Sequence, residues 1–440
     1  MFKNLTTTSI FTPYCKITLN RQGADKYTKI SFPLKYGIFS EIETSDAILQ
    51  FNLNHEIVRA KGKDRAWIQP SEWLKRSMGN DWIYYSTGGY TGVFESIGEY
   101  YLPNLPYPTN SLIGGKPLNE PSVFKIVQSW YEIIQKSFQS VKELAGNQKR
   151  DNSDFIEFLE NALINTPQNL EKKAKSLFKT SGGRITVMPP DARHVDYDII
   201  PLIISDGCLY KCKFCRVKSD KPFAIREKKE IDEQILRLKE IYKNDIINYN
   251  SIFLGDHDAL NTANPLNKDN TIIDAANKAY NSFEFNNSYM KGFSNLFMFG
   301  SVDSFMNANF DLFKSLNSMP YQTYINIGFE SADQETLDLI GKPITSKQVE
   351  EAFMEMQRLN ELFSNIEITA NFIMDENLPK GHYPSFLRLV REKILRAKTK
   401  GTIYLSPLRI NKPSREVLFE FNRLKTLSRL PTFLYIIQRL

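Results

Sequence analysis

Cysteine and histidine are both scarce, with four of each in 440 residues. So few cysteines exclude a disulfide framework as the source of stability. No run of 18 apolar residues occurs, so no segment is expected to span a membrane as a helix. The start, Met1-Phe2-Lys3-Asn4-Leu5-Thr6-Thr7-Thr8, lacks the apolar core and small-residue cleavage site of a secretory signal, and the expected location is the cytoplasm. Dense Lys/Arg runs are missing too: Glu171–Lys175 and Arg226–Glu230 are broken by acidic or apolar residues and read as solvated helix faces. The net charge of +6 therefore permits contact with an anionic substrate or nucleic acid without arguing for either. Internal repeats and low-complexity tracts are absent.

What is present is an ordinary globular balance, 42% apolar and 24% charged, in a chain long enough for two or three cores. Three of the four cysteines fall within eight residues, in Asp206-Gly207-Cys208-Leu209-Tyr210-Lys211-Cys212-Lys213-Phe214-Cys215. Three thiolates on one tight loop can hold three irons of a cubane cluster and leave the fourth without a protein ligand. That iron is open to bind and reduce a cofactor. Three other readings compete. A structural zinc wants four closed ligands, and the nearest histidines, His194 and His257, lack finger spacing. A cluster that only carries electrons normally uses four cysteines. Three buried structural thiols are the last alternative. Cys15 stands apart, either an inert buried thiol or a hydrogen-atom donor.

Along the chain, residues 1–190 show short β-like runs at Ile17–Leu19 and Lys29–Phe32, a Gly/Tyr-rich stretch at Trp82–Gly92 and a proline-punctuated loop from Leu102 to Pro117. Helical spacing follows over Ser122–Leu144 and Asp154–Leu163. The Tyr84, Tyr85, Gly88, Gly89 and Tyr90 group is either a mobile flap or a turn-rich β edge. From Asp196 the pattern changes. Apolar β-rich runs at Ile199–Ile204, Ser251–Leu254, Asn295–Phe299, Tyr324–Gly328, Ile366–Phe372 and Thr402–Leu405 alternate with amphipathic stretches at Glu230–Tyr242, Thr271–Ser282, Phe305–Leu316, Ser346–Leu362 and Tyr383–Lys398. Six strands alternating with five helices predict an α/β fold, a partial (β/α)6 TIM-like barrel. The expected division is an N-terminal α+β domain at 1–190, the barrel at 191–410 and a C-terminal helical extension at 411–440, its last stretch apolar.

These residues carry a family resemblance. The C-x3-C-x2-C loop, with an aromatic before its last cysteine and placed after strand one of a partial barrel, resembles that of the radical S-adenosylmethionine (SAM) superfamily. Phe253-Leu254-Gly255-Asp256-His257-Asp258-Ala259-Leu260 resembles the second-strand motif of the branch related to Elongator catalytic subunits and methylthiotransferases. Ile327-Gly328-Phe329-Glu330-Ser331-Ala332-Asp333-Gln334-Glu335-Thr336-Leu337, continued by Leu339-Ile340-Gly341-Lys342, resembles that branch's fourth-strand motif. The resemblance implies that Cys208, Cys212 and Cys215 ligate one [4Fe–4S] cluster whose open iron chelates SAM. It implies Phe214 near the adenine, Gly255 and Asp256 at the methionine amino group, Ser301 near the sulfonium or carboxylate, and Glu330 at the ribose hydroxyls. His257 and Asp258, directly after strand two, are candidates for substrate contact or a polar surface loop.

The fifth strand departs from the branch pattern, reading Phe372-Ile373-Met374-Asp375-Glu376-Asn377-Leu378-Pro379 without a glycine-rich turn, and no SAM contact is assigned to it. No second cysteine triad and no cobalamin-type D-x-H-x-x-G pattern occurs. The implied activity is reductive cleavage of SAM to a 5′-deoxyadenosyl radical that abstracts hydrogen from an unidentified small or lipid-like substrate. A low-potential donor such as flavodoxin or ferredoxin would supply electrons. The alternatives are an RNA- or peptide-modifying enzyme of the same superfamily, and a non-catalytic iron–sulfur scaffold or electron-transfer protein. No catalytic side chain is assigned.

Overall fold

Two sheets organise the chain in a computed structural model, which describes residues 5–27, 36–67, 73–84, 86–88, 93–97, 119–147, 152–183, 187–215, 221–263, 270–408 and 415–438. The run at Lys29–Phe32, part of the Gly/Tyr stretch (Tyr85 and 89–92) and the loop from Leu102 to Pro117 lie outside those residues. The first sheet is an antiparallel meander of seven strands, Thr8–Phe11 through Trp82–Tyr84, each paired with its neighbour in sequence. Helices Pro121–Asn147 and Ser153–Ile164 cover it, burying Ile134, Phe158 and Leu159 against Ile42, Leu49 and Phe51. Cys15 belongs to this core, away from the other three cysteines.

The second sheet is the barrel wall. Its parallel strands are Ile200–Ile203 (β1), Ser251–Gly255 (β2), Ser294–Gly300 (β3), Tyr321–Glu330 (β4), Ile366–Met374 (β5), Ile403–Pro407 (β6) and Thr432–Gln438 (β7). All six expected strands form, with helices between them. Parity along the strands separates the two faces of the wall. Phe329 and Phe372 point to the helices, meeting Phe353 and Phe386. Their neighbours in sequence therefore turn inward: Gly328 and Glu330 on β4, Asn371 and Ile373 on β5.

Three details differ from the sequence expectation. The helix expected over Phe305–Leu316 is split into Val302–Asn307 and Phe310–Ser318, because the Asn309 side chain accepts from Asp311 N and starts a new helix. The helix expected over Tyr383–Lys398 runs only from His382 to Leu387 and continues as a π turn to Glu392. In the C-terminal part, the helical stretch is Arg415–Leu427, but the apolar end is β7. Thr432-Phe433-Leu434-Tyr435-Ile436-Ile437 is a β-branched and aromatic run, and β6 offers it an otherwise unpaired edge.

Two further strands come from the N-terminal part. Val93–Ile97 pairs parallel with β7, and Ser86–Gly88 pairs antiparallel outside it. Val93 stands opposite Leu434, Leu434 opposite Leu405, Leu405 opposite Phe372 and Phe372 opposite Glu330. The added strand thus lies at the height of the carboxyl end of β4. At the opposite end, the turn Pro190–Val195 plugs the barrel. Asp191, fully buried, accepts from Thr369 Oγ1 at 2.8 Å and Tyr404 OH at 2.7 Å, while Arg193 Nε donates to Tyr404 OH at 2.9 Å. A plugged floor leaves the carboxyl rim as the accessible mouth.

Candidate active site at the carboxyl rim of the barrel

The cysteine loop leaves β1 and is pinched at its base. Ser205–Asp206 pairs antiparallel with Ala224–Ile225, and Arg226 grips Asp206 through Nε and Nη2, both at 2.9 Å. This pair holds the Asp206 carboxyl below its usual range. Gly207 sits at φ +76°, and a Cβ there would stand 2.4 Å from Pro222 O, so the two arms touch only because the residue is glycine. The outer part of the loop is tied down twice. Tyr210 is buried, and its hydroxyl accepts from Asp303 N at 3.1 Å. Lys213 N donates to Ile340 O at 3.0 Å, where Gly341 turns at φ +65°.

These ties bring Cys208, Cys212 and Cys215 onto one side of the loop, against the barrel core. Burial pushes the Cys208 thiol up to about 11 and raises that of Cys212, so in the absence of metal both are protonated. No three His, Cys, Asp or Glu side chains among the described residues converge as they would on a single metal ion. A cubane makes a different demand, since it separates its sulfur ligands further, one to each iron. Phe214 is half-buried and packs on the same core.

The other expected residues separate into two groups. Asp256, just past the end of β2, pairs through Oδ2 with His257 Nε2 at 3.1 Å, and its Oδ1 is buried with no hydrogen-bond partner. Burial raises its pKa, with His257 opposing. A buried, unsatisfied carboxylate oxygen at a barrel mouth is an acceptor waiting for a donor. Gly255 before it lies against the Phe253 ring, where any Cβ would collide. Glu330, at the end of β4, has φ +65° and follows a register shift between Gly328 and Glu330. A bulge that re-aims a side chain beside a site is a recurrent use of such irregularity. Burial raises its pKa, and Lys342 Nζ lies 3.4 Å from its Oε1.

Ser301 and Asp258 form the second group. Ser301 Oγ caps the helix Val302–Asn307, accepting from Ser304 N at 3.1 Å and lying 2.6 Å from Ser304 Oγ. Asp258 is 1% exposed and takes Ser301 N at 3.0 Å and Ser304 Oγ at 2.8 Å, one on each oxygen. Both side chains are committed to joining the β2 and β3 loops. Asp258 therefore has no oxygen turned to the mouth, against its expectation as a substrate contact.

Lys342 was not singled out from the sequence. Its side chain is 4% exposed, lies 5.3 Å from the centre of the Tyr210 ring, and is the cation that most favours a thiolate at Cys212. A lysine one residue past a helix-ending glycine reads as a surface C-terminal charge, and nothing local signals its burial. Asn371 was missed as well. It is half-exposed on the inward face of β5 and donates to Asn326 Oδ1 at 2.5 Å.

The model of the radical SAM superfamily matches residues 202–371. That segment, 170 of the 440 residues, is a radical SAM domain. The match runs from β1 to Asn371 and contains the three cysteines, Asp256, Ser301, Glu330 and Lys342. It names no branch. No curated protein matches the chain. Among solved structures, SuiB of Streptococcus suis is similar at 12% identity and a TM-score of 0.34, over 82% of this chain and 70% of SuiB. A radical SAM methyltransferase from Sphaerobacter thermophilus is similar at 14% and 0.33, over 54% of this chain and 67% of that one. The cobalamin-dependent radical SAM enzyme OxsB is similar at 19% and 0.31, over 44% of this chain but only 26% of OxsB. Identities this low bring none of those activities to this chain.

A radical SAM domain implies a [4Fe–4S] cluster and SAM as its cofactors. Its residues fit both groups. Three cysteines line one loop, an unsatisfied carboxylate oxygen stands at the end of β2, and the buried Lys342 ammonium lies beside Glu330 and acts on Cys212. Among the described residues no helix is long and apolar enough to cross a membrane.

Proposed function

We propose that this enzyme cleaves SAM at a single [4Fe–4S] cluster held by Cys208, Cys212 and Cys215, and oxidises an organic substrate seated in the barrel mouth by hydrogen abstraction. The observation that carries the reading is the pinned three-thiol loop over the strand ends, with the orphaned Asp256 Oδ1 nearby. When bound, the cluster and SAM supply a one-electron cleavage that yields methionine and the 5′-deoxyadenosyl radical. The protein's own work is to bind and to exclude. Asp256 accepts from the SAM amino group, Glu330 accepts from the ribose hydroxyls, and Phe214 flanks the adenine. Lys342 compensates negative charge beside Cys212. Ser301 takes part through the turn it caps.

The substrate in this reading is a small molecule. Phe299, Gly328, Glu330, Asn371 and Ser406, half-buried residues near the strand ends, make a mouth of mixed polarity suited to a molecule with both polar and apolar parts. Residues 1–190 serve as the unit that closes the mouth, through the strand Val93–Ile97.

The test is anaerobic reconstitution with iron and sulfide, reduction by dithionite and addition of SAM. The expected product is 5′-deoxyadenosine, lost in Cys212→Ala. No product above that control would leave a scaffold or electron-transfer role and end the enzymatic reading.

A further inference from the structure

We propose that Arg226 is a positioning residue for SAM, coupling the N-terminal region to the acceptor carboxylate of Asp256 through the end of the helix Pro167–Ser181. The inference rests on the function proposed above, in which Asp256 accepts from the SAM amino group. The helix is fastened to the N-terminal sheet at its start and along its length. Asn80 Nδ2 donates to Pro167 O at 3.3 Å, and Asn165, just before the helix, donates to Asn54 O at 3.0 Å. Halfway along, Lys173 pairs with Glu56, a carboxylate only 6% exposed that also has Arg76 Nη2 at 4.0 Å.

The far end of the helix reaches the barrel. The chain turns at Gly182, where φ is +78°. Gly182 N–H returns to Lys179 O and Gly183 N–H returns to Phe178 O, which satisfies two of the terminal carbonyls. A third, Ser181 O, accepts from Arg226 Nη2 at 2.9 Å. A cation suits this end of a helix by charge as well as by hydrogen bonding. A Cβ at residue 182 would stand 2.4 Å from Arg226 Nη2, so the contact depends on the glycine.

Arg226 carries that contact onward by two routes. Its side chain, 13% exposed, holds both oxygens of Asp206 at the base of the cysteine loop. Its backbone N–H donates to Ile204 O at 3.0 Å, and Ile204 N–H donates to Gly255 O at 3.3 Å. Gly255 is the residue before Asp256. A row of hydrogen bonds therefore runs from the helix carbonyl through Arg226 and the end of β1 to the end of β2, where the orphaned carboxylate oxygen stands. Serving Ser181 O and two carboxylate oxygens at once takes the rigid fork of a guanidinium; a lysine ammonium is a point charge on a flexible stem. Loss of the fork releases the helix end and the loop base together, and the end of β2 loses the neighbour that sets it.

SAM binding to the reconstituted full-length chain, by equilibrium dialysis, is the measurement, with iron per protein and the urea midpoint taken on the same samples. Arg226→Lys is expected to raise the SAM dissociation constant about fivefold at wild-type iron content. Gly182→Ala, which presses on the guanidinium from the helix side, should move it the same way. A double-mutant cycle with Asp256→Asn separates coupling from a merely structural effect. If Arg226 acts through Asp256, Arg226→Lys should weaken binding by less than about twofold further once Asp256 is replaced. Independent, additive effects in that cycle would overturn the proposal. So would unchanged SAM affinity in both single variants, or an affinity that falls only in proportion to lost iron. Should Arg226→Lys fail to fold, the same cycle run with Gly182→Ala decides. SAM binding without any 5′-deoxyadenosine from the dithionite-reduced wild type would instead sink the proposed function, leaving the cycle to judge the coupling by itself.

Discussion

Asp256 and Asp258 are two residues apart and differ in every property that matters for their use. Asp256 keeps one buried oxygen without a partner, whereas both oxygens of Asp258 are taken by Ser301 and Ser304. Asp256→Asn is expected to raise the SAM dissociation constant about tenfold, the loss of one charge-assisted hydrogen bond, with stability little changed. Asp258→Asn is expected to cost about 1–3 kcal/mol in urea denaturation, because a buried donor is left unpaired. Equilibrium dialysis and melts of the same two proteins check both, and the reverse pattern would exchange the roles. His382 offers a pH reading at this scale. It is buried, with Nδ1 2.8 Å from Ser331 Oγ and Nε2 2.9 Å from Ile373 O. The carbonyl requires Nε2 to carry the proton, so Nδ1 accepts from Ser331. Burial holds the imidazole below its ordinary value. Its contribution to stability is therefore full above about pH 6.5, the unfolded value, and is lost as pH falls through the lower folded value. An NMR titration showing His382 at or above the ordinary imidazole value would contradict this.

At the scale of elements, the cysteine loop is a short excursion from β1 that the rest of the barrel holds in shape. The Asp206–Arg226 pair closes its base, Tyr210 reaches the first turn of the helix Val302–Asn307, and the turn at Gly341 receives Lys213. Gly341→Ala tests the last of these. At φ +65°, and with the new Cβ against the Lys213 stem, it is expected to cost about 1 kcal/mol or more. Lower iron content after reconstitution, measured against total protein, should accompany that loss. Wild-type stability and iron content in this variant would show that the loop does not depend on its seat.

At the scale of the molecule, the N-terminal sheet and the barrel are joined by buried charge. Arg59 Nη2 meets Asp196 Oδ2 and Lys75 Nζ meets Asp198 Oδ1, both at 2.8 Å, and Asn248 bonds both N–H and C=O of Ile38. All four tryptophans, Trp67, Trp73, Trp82 and Trp130, lie in the N-terminal part, so fluorescence reports on it alone while circular dichroism reports on the whole. Coincident urea transitions are expected in the wild type. Arg59→Ala, which leaves Asp196 with a weaker partner, should cost about 3 kcal/mol and move the fluorescence transition to lower urea than the dichroism. Separate transitions in the wild type would mean that the two parts do not unfold as one.

Much of the barrel was legible because a parallel sheet buried on both faces needs continuous apolar strands, and amphipathic helices must alternate with them. The cysteine spacing was legible because a cluster is held by one short segment. Other features depend on residues far apart in sequence. A lysine after a glycine looks solvated until Tyr210 and Glu330 close around Lys342, and a serine ending a strand looks available until Ser304 and Asp258 occupy it. The strand Val93–Ile97 finds its partner some 340 residues later, a pairing that no local pattern announces. By itself, the sequence determined the chemistry on offer: three thiols, a carboxylate at the end of one strand and a glutamate at the end of another. Only the tertiary structure decided which of those groups remain free to act, because burial and hydrogen bonding between distant segments had already committed the rest.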